Sequence, residues 1–259
     1  MHISTVDLEG LNARFRAAPP LALLRFAHAT FGPRAAILSS MQRAGTALSF
    51  VADQAGLAFD VVFVDTGVLH QETLWTRDEL GRSHKHLRLR TLTPEKSFRE
   101  QTREEGVLYL SREGQERCCE LRKTAPLNAV KGQYDALIGA LRKGEGGARG
   151  NVEPFSLDPA MNALRIHPFA SLSNEQLSDL IASEPGIVIN PLHEMGFPTI
   201  GCFPCTTPVL PDEPERAGRW RHLAGVEYCG INPVDRGAAG GIELEDRYAE
   251  ALFAGASRS

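Results

Sequence analysis

Residues 35–65 read AAILSSMQRAGTALSFVADQAGLAFDVVFVD, and this stretch decides the fold. AAILSS (35–40) has the short, continuous apolar character of a buried strand. MQRAG follows as a loop, TALSFVADQAG as a helix closed by Gly56, and DVVFVD (60–65) as a second, β-branched strand. Beyond it, TGVLH leads into a helix through ETLWTRDEL, and HLRLRTL (86–92) alternates as a half-buried strand does. Pro94 is predicted to start a helix over PEKSFREQTREEG, at the first-turn position that proline tolerates. Upstream, residues 7–31 predict two short helices divided by Pro19-Pro20. Strands alternating with helices specify βαβ units, hence an α/β fold: a single-domain, parallel-type sheet flanked by helices.

The second half is less regular. Tyr134–Leu141 and ALRIHPF (163–169) are predicted strands, separated by the glycine-rich, basic loop RKGEGGARGN (142–151). SNEQLSDLIAS is a helix with Ser173 and Gln176 in capping-box spacing. Prolines and glycines dominate 190–214, which places Cys202 and Cys205 on a loop, and ELEDRYAEALFAGA (243–256) predicts a last helix. The expected organisation is one α/β domain over 1–232 and a helical, irregular C-terminal extension over 233–259. Hydrophobic content of 42% with 23% charged residues is that of a soluble globular protein. A net charge of −4 argues against a nucleic-acid or anionic-membrane surface. No apolar run is long enough to span a membrane. MHISTVDLEG has no basic start followed by an apolar run, so the expected compartment is the cytoplasm. Self-association is left open.

All five cysteines fall in three motifs. Cys118 and Cys119 open CCELRKTAPL, Cys202 and Cys205 sit in GCFPCTTPV, and Cys229 stands alone in EYCGIN. Taken singly, C-x-x-C serves a redox dithiol as readily as a metal, adjacent cysteines can be two packed thiols, and a lone buried cysteine acts as a small hydrophobe. Together the two pairs complete the four-thiolate set of a zinc ion or an iron–sulfur cluster. Zinc sites space their cysteines so that both sulfurs reach one ion. Adjacent side chains diverge on helix and strand alike, and a multi-iron cluster takes them on different irons. The pair at 118–119 therefore favours a cluster, and Cys229 remains as the candidate nucleophile.

These motifs carry a resemblance. CC-x-x-RK-x-x-PL (118–127) and GC-x-x-CT-x-PV (201–209) resemble the two cluster motifs of assimilatory adenylyl-sulfate reductases. ERAGRW (215–220), Cys229-Gly230 and DTG-x-LH-x-ET (65–73) match that family in order. The resemblance runs from about residue 35 to 232. It implies an adenine nucleotide alpha hydrolase-like sheet and a 4Fe-4S cluster on Cys118, Cys119, Cys202 and Cys205. The implied reaction is reduction of adenosine 5′-phosphosulfate to sulfite and AMP in sulfate assimilation. Cys229 would form an S-sulfocysteine that thioredoxin or a similar dithiol resolves. Ser39, Ser40, Lys123, Arg149, Arg216 and Arg219 occupy matching substrate-binding positions, and cationic side chains suit adjacent phosphate and sulfate groups.

The departures lie in the nucleotide-binding parts. The family's SFGAED-type loop is SSMQRAG here, without the acidic pair. Its G-x-RRDQS-x-x-R stretch is Gly139-Ala140-Leu141-Arg142-Lys143-Gly144-Glu145, ending at Arg149. ECGLH becomes Tyr228-Cys229-Gly230-Ile231-Asn232, and a further 27 residues follow. An alternative thus stands beside the reductase: a degenerate paralogue keeping the cluster for structure, sensing or partner binding.

Overall fold

In the computed structural model, which describes residues 1–223, 226, 231–236 and 240–254, the apolar runs become strands and the amphipathic ones helices. β1 (His2–Ile3), α1 (Leu8–Phe15) and α2 (Pro20–Phe31) lead to β2 (Ala35–Leu38), α3 (Arg43–Gln54), β3 (Phe59–Val64), α4 (Gln71–Ser83) and β4 (Leu87–Leu92). Next come α5 (Phe98–Glu105), α6 (Arg112–Cys119), α7 (Ala125–Asn128), β5 (Ala136–Ile138), β6 (Phe155–Asp158), β7 (Ala163–Ile166) and α8 (Asn174–Ser183). α9 (Pro233–Arg236), β8 (Ile242–Glu243) and α10 (Ala249–Phe253) follow.

The main sheet has the order β4-β3-β2-β5-β7-β6. Every neighbouring pair is parallel except β6–β7. Ile37 of β2 lies opposite Val61 and Ile138, and all three sink into the larger core under α2 and α3. Alternate residues Ala36, Val62 and Leu137 face the other side, against Leu127 and Val130. Both faces are covered, which is why these strands read as continuous apolar runs. The chain winds outward from β2 to β4, then recrosses to place β5 on the far side of β2. That reversal leaves a crevice at the strands' carboxyl ends, the usual ligand position in such sheets.

Local signals explain the boundaries. Gly56 takes φ +68°, and the Leu57 N–H donates to the Ala52 carbonyl, closing α3 as a glycine C-cap does. The Ser173–Gln176 capping box forms at α8. Pro94 does not start a helix: α5 begins at Phe98, because Ser97 and Glu100 form a reciprocal capping box. The predicted last helix is shorter, α10 alone. Ile242 and Glu243 instead pair antiparallel with β1, and Ile242, Leu244, Tyr248 and Leu252 join the main core. β6 was not foreseen; it is a four-residue antiparallel strand at the sheet edge.

Candidate active site

The crevice between β2, β3 and β5 opens into a cleft of about 230 Å³. Ser39, Ser40, Lys123, Arg149, Arg216 and Arg219 all line it. Ser39 turns back so that its Oγ accepts the Met41 N–H at 3.2 Å, with Met41 at φ +58°. Gly45 permits this, since a Cβ there would sit 2.7 Å from Ser39 Oγ. The loop thereby delivers the N-terminus of α3 to the cleft, an end that favours anions.

Several residues outside the expected set complete the site. Arg43, Arg142, Arg165 and His193 line the same cleft. His193 Nε2 accepts the Arg43 N–H at 3.2 Å, and its Nδ1 pairs with the Phe197 carbonyl at 2.9 Å. Burial, then the Arg43 charge, pushes this histidine down to about 4, so it is a neutral brace for α3. Buried Asn190 donates to the Met41 carbonyl and to Thr73 Oγ1. Arg165 is held by Asp158, and Arg142 by Asn174. Arg149 is clasped by Asp235 and Glu145. Burial opposes its charge, but the Asp235 hydrogen bonds and the Glu145 charge outweigh that and raise its pKa.

Arg219 is buried and stacks 4.2 Å over the Trp220 ring. The Nε atoms of Arg142 and Arg219 and the Trp220 indole N–H are buried without a partner among the described residues. Such donors cost about 1–3 kcal/mol each when nothing accepts from them. An anionic ligand in the cleft would meet that need.

Beside the cleft lies a second cavity lined by Cys118, Cys119, Cys202 and Cys205. Lys123 and Trp220 line both spaces. α6 ends at Cys119 and runs into a π-helical turn, Glu120–Thr124, an irregularity frequent at functional sites. From that turn Arg122 donates to the Thr66 carbonyl and to Gln101 Oε1. Gly67, at φ +72°, has the Arg122 guanidinium 3.0 Å from where a Cβ would stand. The DTG turn then meets the second cysteine loop: Leu69 bridges to Cys202, and the Phe203 N–H donates to the Val68 carbonyl at 2.8 Å. The Trp220 N–H donates to the Cys205 carbonyl, tying ERAGRW to the same loop.

The donor set fits a cluster. Gln115 Nε2 points at Cys119 Sγ (3.1 Å), Thr66 Oγ1 lies 3.3 Å from Cys202 Sγ, and Gln101 Nε2 lies 3.7 Å from Cys118 Sγ. Polar groups placed this way can hydrogen-bond to charged sulfur. Among the described residues no three His, Cys, Asp or Glu side chains close on one ion position. The four cysteines share the lining of one cavity. Burial first, then the neighbouring thiols, pushes Cys205 up to about 12. Cys229 lies outside the described residues.

Residues 34–208 match the phosphoadenosine phosphosulfate reductase domain family. The chain belongs to this family. Among its relatives, adenosine 5′-phosphosulfate reductase of Mycolicibacterium smegmatis is 36% identical over 211 residues, covering 81% of this chain and 86% of the relative. The enzyme of that name from Streptomyces coelicolor is 36% identical over 233 residues, covering 88% and 96%. In fold, the crystal structure of phosphoadenylyl-sulfate reductase from Candida auris superposes with a TM-score of 0.68 at 18% identity, covering 80% of this chain and 99% of that one. FMN adenylyltransferase of Candida glabrata has a TM-score of 0.51 at 12% identity, covering 97% and 85%. The family and the mostly parallel sheet flanked by helices are borne out. No helix among the described residues is long and apolar enough to cross a membrane.

Proposed function

We propose that the chain reduces adenosine 5′-phosphosulfate to sulfite and AMP through an S-sulfocysteine on Cys229. The supporting observation is the shared wall: Lys123 and Trp220 border both a cationic cleft and a four-cysteine cavity. The apolar side of the cleft, with Val64, Leu69, Leu141 and Ile200, suits the purine. Ser39, Ser40 and the start of α3 suit the nucleotide's anionic side. Lys123, Arg216 and Arg219 would hold the phosphosulfate and stabilise charge on the departing phosphate. Cys118, Cys119, Cys202 and Cys205 would hold a 4Fe-4S cluster, whose charge would shape the field at the sulfonyl group when bound.

The Cys229 thiolate attacks the sulfate sulfur. A sulfur–sulfur bond forms as the sulfur–oxygen bond to phosphate breaks, and AMP leaves with the electron pair. A dithiol reductant such as thioredoxin then attacks Cys229 Sγ. Sulfite departs as a mixed disulfide forms, and the second thiol closes the reductant's own disulfide, displacing the Cys229 thiolate and accounting for the two electrons. A paralogue keeping the cluster for structure alone would have no use for this concentration of cations at one cleft. The test is sulfite release by anaerobically purified protein, supplied with the phosphosulfate and thioredoxin. About four irons per chain are expected, and both iron and activity should be lost in Cys118→Ser and Cys202→Ser. A colourless protein carrying one zinc, or no sulfite from iron-loaded protein, would overturn the reading.

A further inference from the structure

Two glutamines outside every motif turn their amides onto the adjacent cysteines. Gln115 and Cys119 stand four positions apart on α6 and so share one face of that helix. Gln115 Nε2 lies 3.1 Å from Cys119 Sγ. The start of α6 is firmly seated: Ser111 Oγ accepts the Gly114 N–H, and a Cβ on Gly114 would overlap the Leu108 carbonyl oxygen. Gln101 comes from α5, whose register is fixed by the Ser97–Glu100 capping box. Its Nε2 lies 3.7 Å from Cys118 Sγ. Both glutamines are buried, Gln101 at 3% exposure and Gln115 at 2%. Burying an amide costs free energy unless its polar atoms find partners.

The chemistry of the partners fixes which way each amide faces. Buried Arg122 carries donors only. Its Nη1 donates to Gln101 Oε1 at 2.9 Å, its Nε to the Thr66 carbonyl, and Nη1 and Nη2 to the Lys96 carbonyl. None of these acceptors carries a charge. With Oε1 committed to the guanidinium, the Gln101 NH2 group faces the sulfur, and the arginine's charge polarises the amide toward stronger donation. At Cys119 a thiolate accepts an N–H and repels a carbonyl oxygen, which sets Gln115 the same way. Of the four cysteines, Cys119, Cys202 and Cys205 are buried and Cys118 is only partly so.

We propose that Gln101 and Gln115 are positioning residues of the metal centre. Each donates an N–H to one of the two adjacent thiolates, and Gln101 also couples Cys118 to the buried charge of Arg122. This rests on the reading of the four cysteines as cluster ligands. Neighbouring side chains on a helix diverge, and separate donors hold Cys118 and Cys119 on separate headings, as ligation of two different irons requires. Hydrogen bonds to the sulfurs disperse thiolate charge and help set a cluster's electronic properties. The Gln101–Arg122 arm does so at the cysteine nearest solvent.

The experiment compares the anaerobically purified full-length holoprotein with Gln101→Leu, Gln101→Glu, Gln115→Leu and Gln115→Glu. Leucine keeps most of the volume and removes the amide. Glutamate at 101 keeps an acceptor for Arg122 and removes the donor. Metal per chain is measured first, then its transfer to a chelator over a concentration series. Resonance Raman spectra of the iron–cysteine bands are recorded in H2O and in D2O. Each variant should surrender its metal at about 10- to 100-fold less chelator than the wild type. The shift of the bands on deuteration should shrink, because an exchangeable N–H has left the sulfur; a glutamine that only packed would leave that shift intact. Where a leucine variant fails to fold, the glutamate variant carries the test. Wild-type chelator resistance in Gln115→Glu, or an undiminished deuterium shift, overturns the role of Gln115. Either result in Gln101→Glu reduces Gln101 to a support for Arg122 and overturns its share of the proposal. A wild-type protein holding zinc in place of iron would remove the cluster reading alone, since the chelator ratios apply equally to zinc thiolates and still decide the amide donors.

Discussion

Gly201→Ala perturbs the cleft at one defined point. Gly201 precedes the first cysteine of GCFPC, and the Arg219 guanidinium lies beside it. A Cβ there would stand 2.6 Å from Arg219 Cζ and 3.0 Å from Nε. The first is shorter than real Cβ atoms show and the second is tighter than most, so the guanidinium must move. It has little room, being buried and stacked on Trp220 at 4.2 Å. Displacement would withdraw one charge-assisted contact to the phosphosulfate, worth about 1.5–3 kcal/mol, or roughly a 10- to 150-fold loss in kcat/KM. The three atoms nearest to that Cβ all belong to Arg219. Steady-state sulfite release, with iron per chain measured on the same preparation, separates the two effects. Gly201→Ala should approach Arg219→Ala in kcat/KM while retaining its iron. A variant with wild-type kcat/KM would refute the steric reasoning, and one that loses iron along with activity would show that Gly201 serves the cysteine loop instead.

Gly218→Ala should act on stability: its Cβ would overlap the Thr207 carbonyl oxygen, a backbone atom that cannot swing away. Overpacking of this kind costs roughly 1–3 kcal/mol; an unchanged denaturant midpoint would rule out the clash. A third expectation concerns acid. His167 is buried behind Gly139, and burial above all, with Arg165 nearby, pushes it down to about 3. An unfolded histidine protonates near 6.5, so the unfolded chain takes the extra proton first: the contribution is intact above pH 6.5 and is lost as pH falls toward 3. Between pH 7.5 and 5 the loss is about 2 kcal/mol. His167→Gln should flatten the stability–pH curve over that interval, and an equally steep curve would exclude His167 as its source.

The central sheet was legible because β2, β3 and β5 are buried on both faces and show as apolar runs. Gly56 and the Ser173–Gln176 box marked helix ends by local chemistry alone. Pro94 misled because two start signals competed within four residues. The Ser97–Glu100 box satisfies backbone donors at the helix start, whereas a proline only removes one. β6 left no trace since four residues at a sheet edge show no period, and its partner β7 is what makes it a strand. The motif residues around the cleft were readable from the resemblance. Arg43, Arg165 and His193 were not: a lone arginine or histidine in sequence is ordinarily a surface residue, and only tertiary packing turns these three toward one space. The Arg149–Asp235 clasp joins positions 86 apart, and Asp235 lies in a segment with no motif at all.

The most direct measurement is the mass of the iron-loaded protein after incubation with adenosine 5′-phosphosulfate in the absence of any thiol. One sulfonate should appear on the peptide containing Cys229, with stoichiometric AMP released. Thioredoxin should then remove the adduct as sulfite, and Cys229→Ser should never acquire it while keeping its iron. An adduct on any other residue, or AMP release with no protein adduct, would contradict the S-sulfocysteine route.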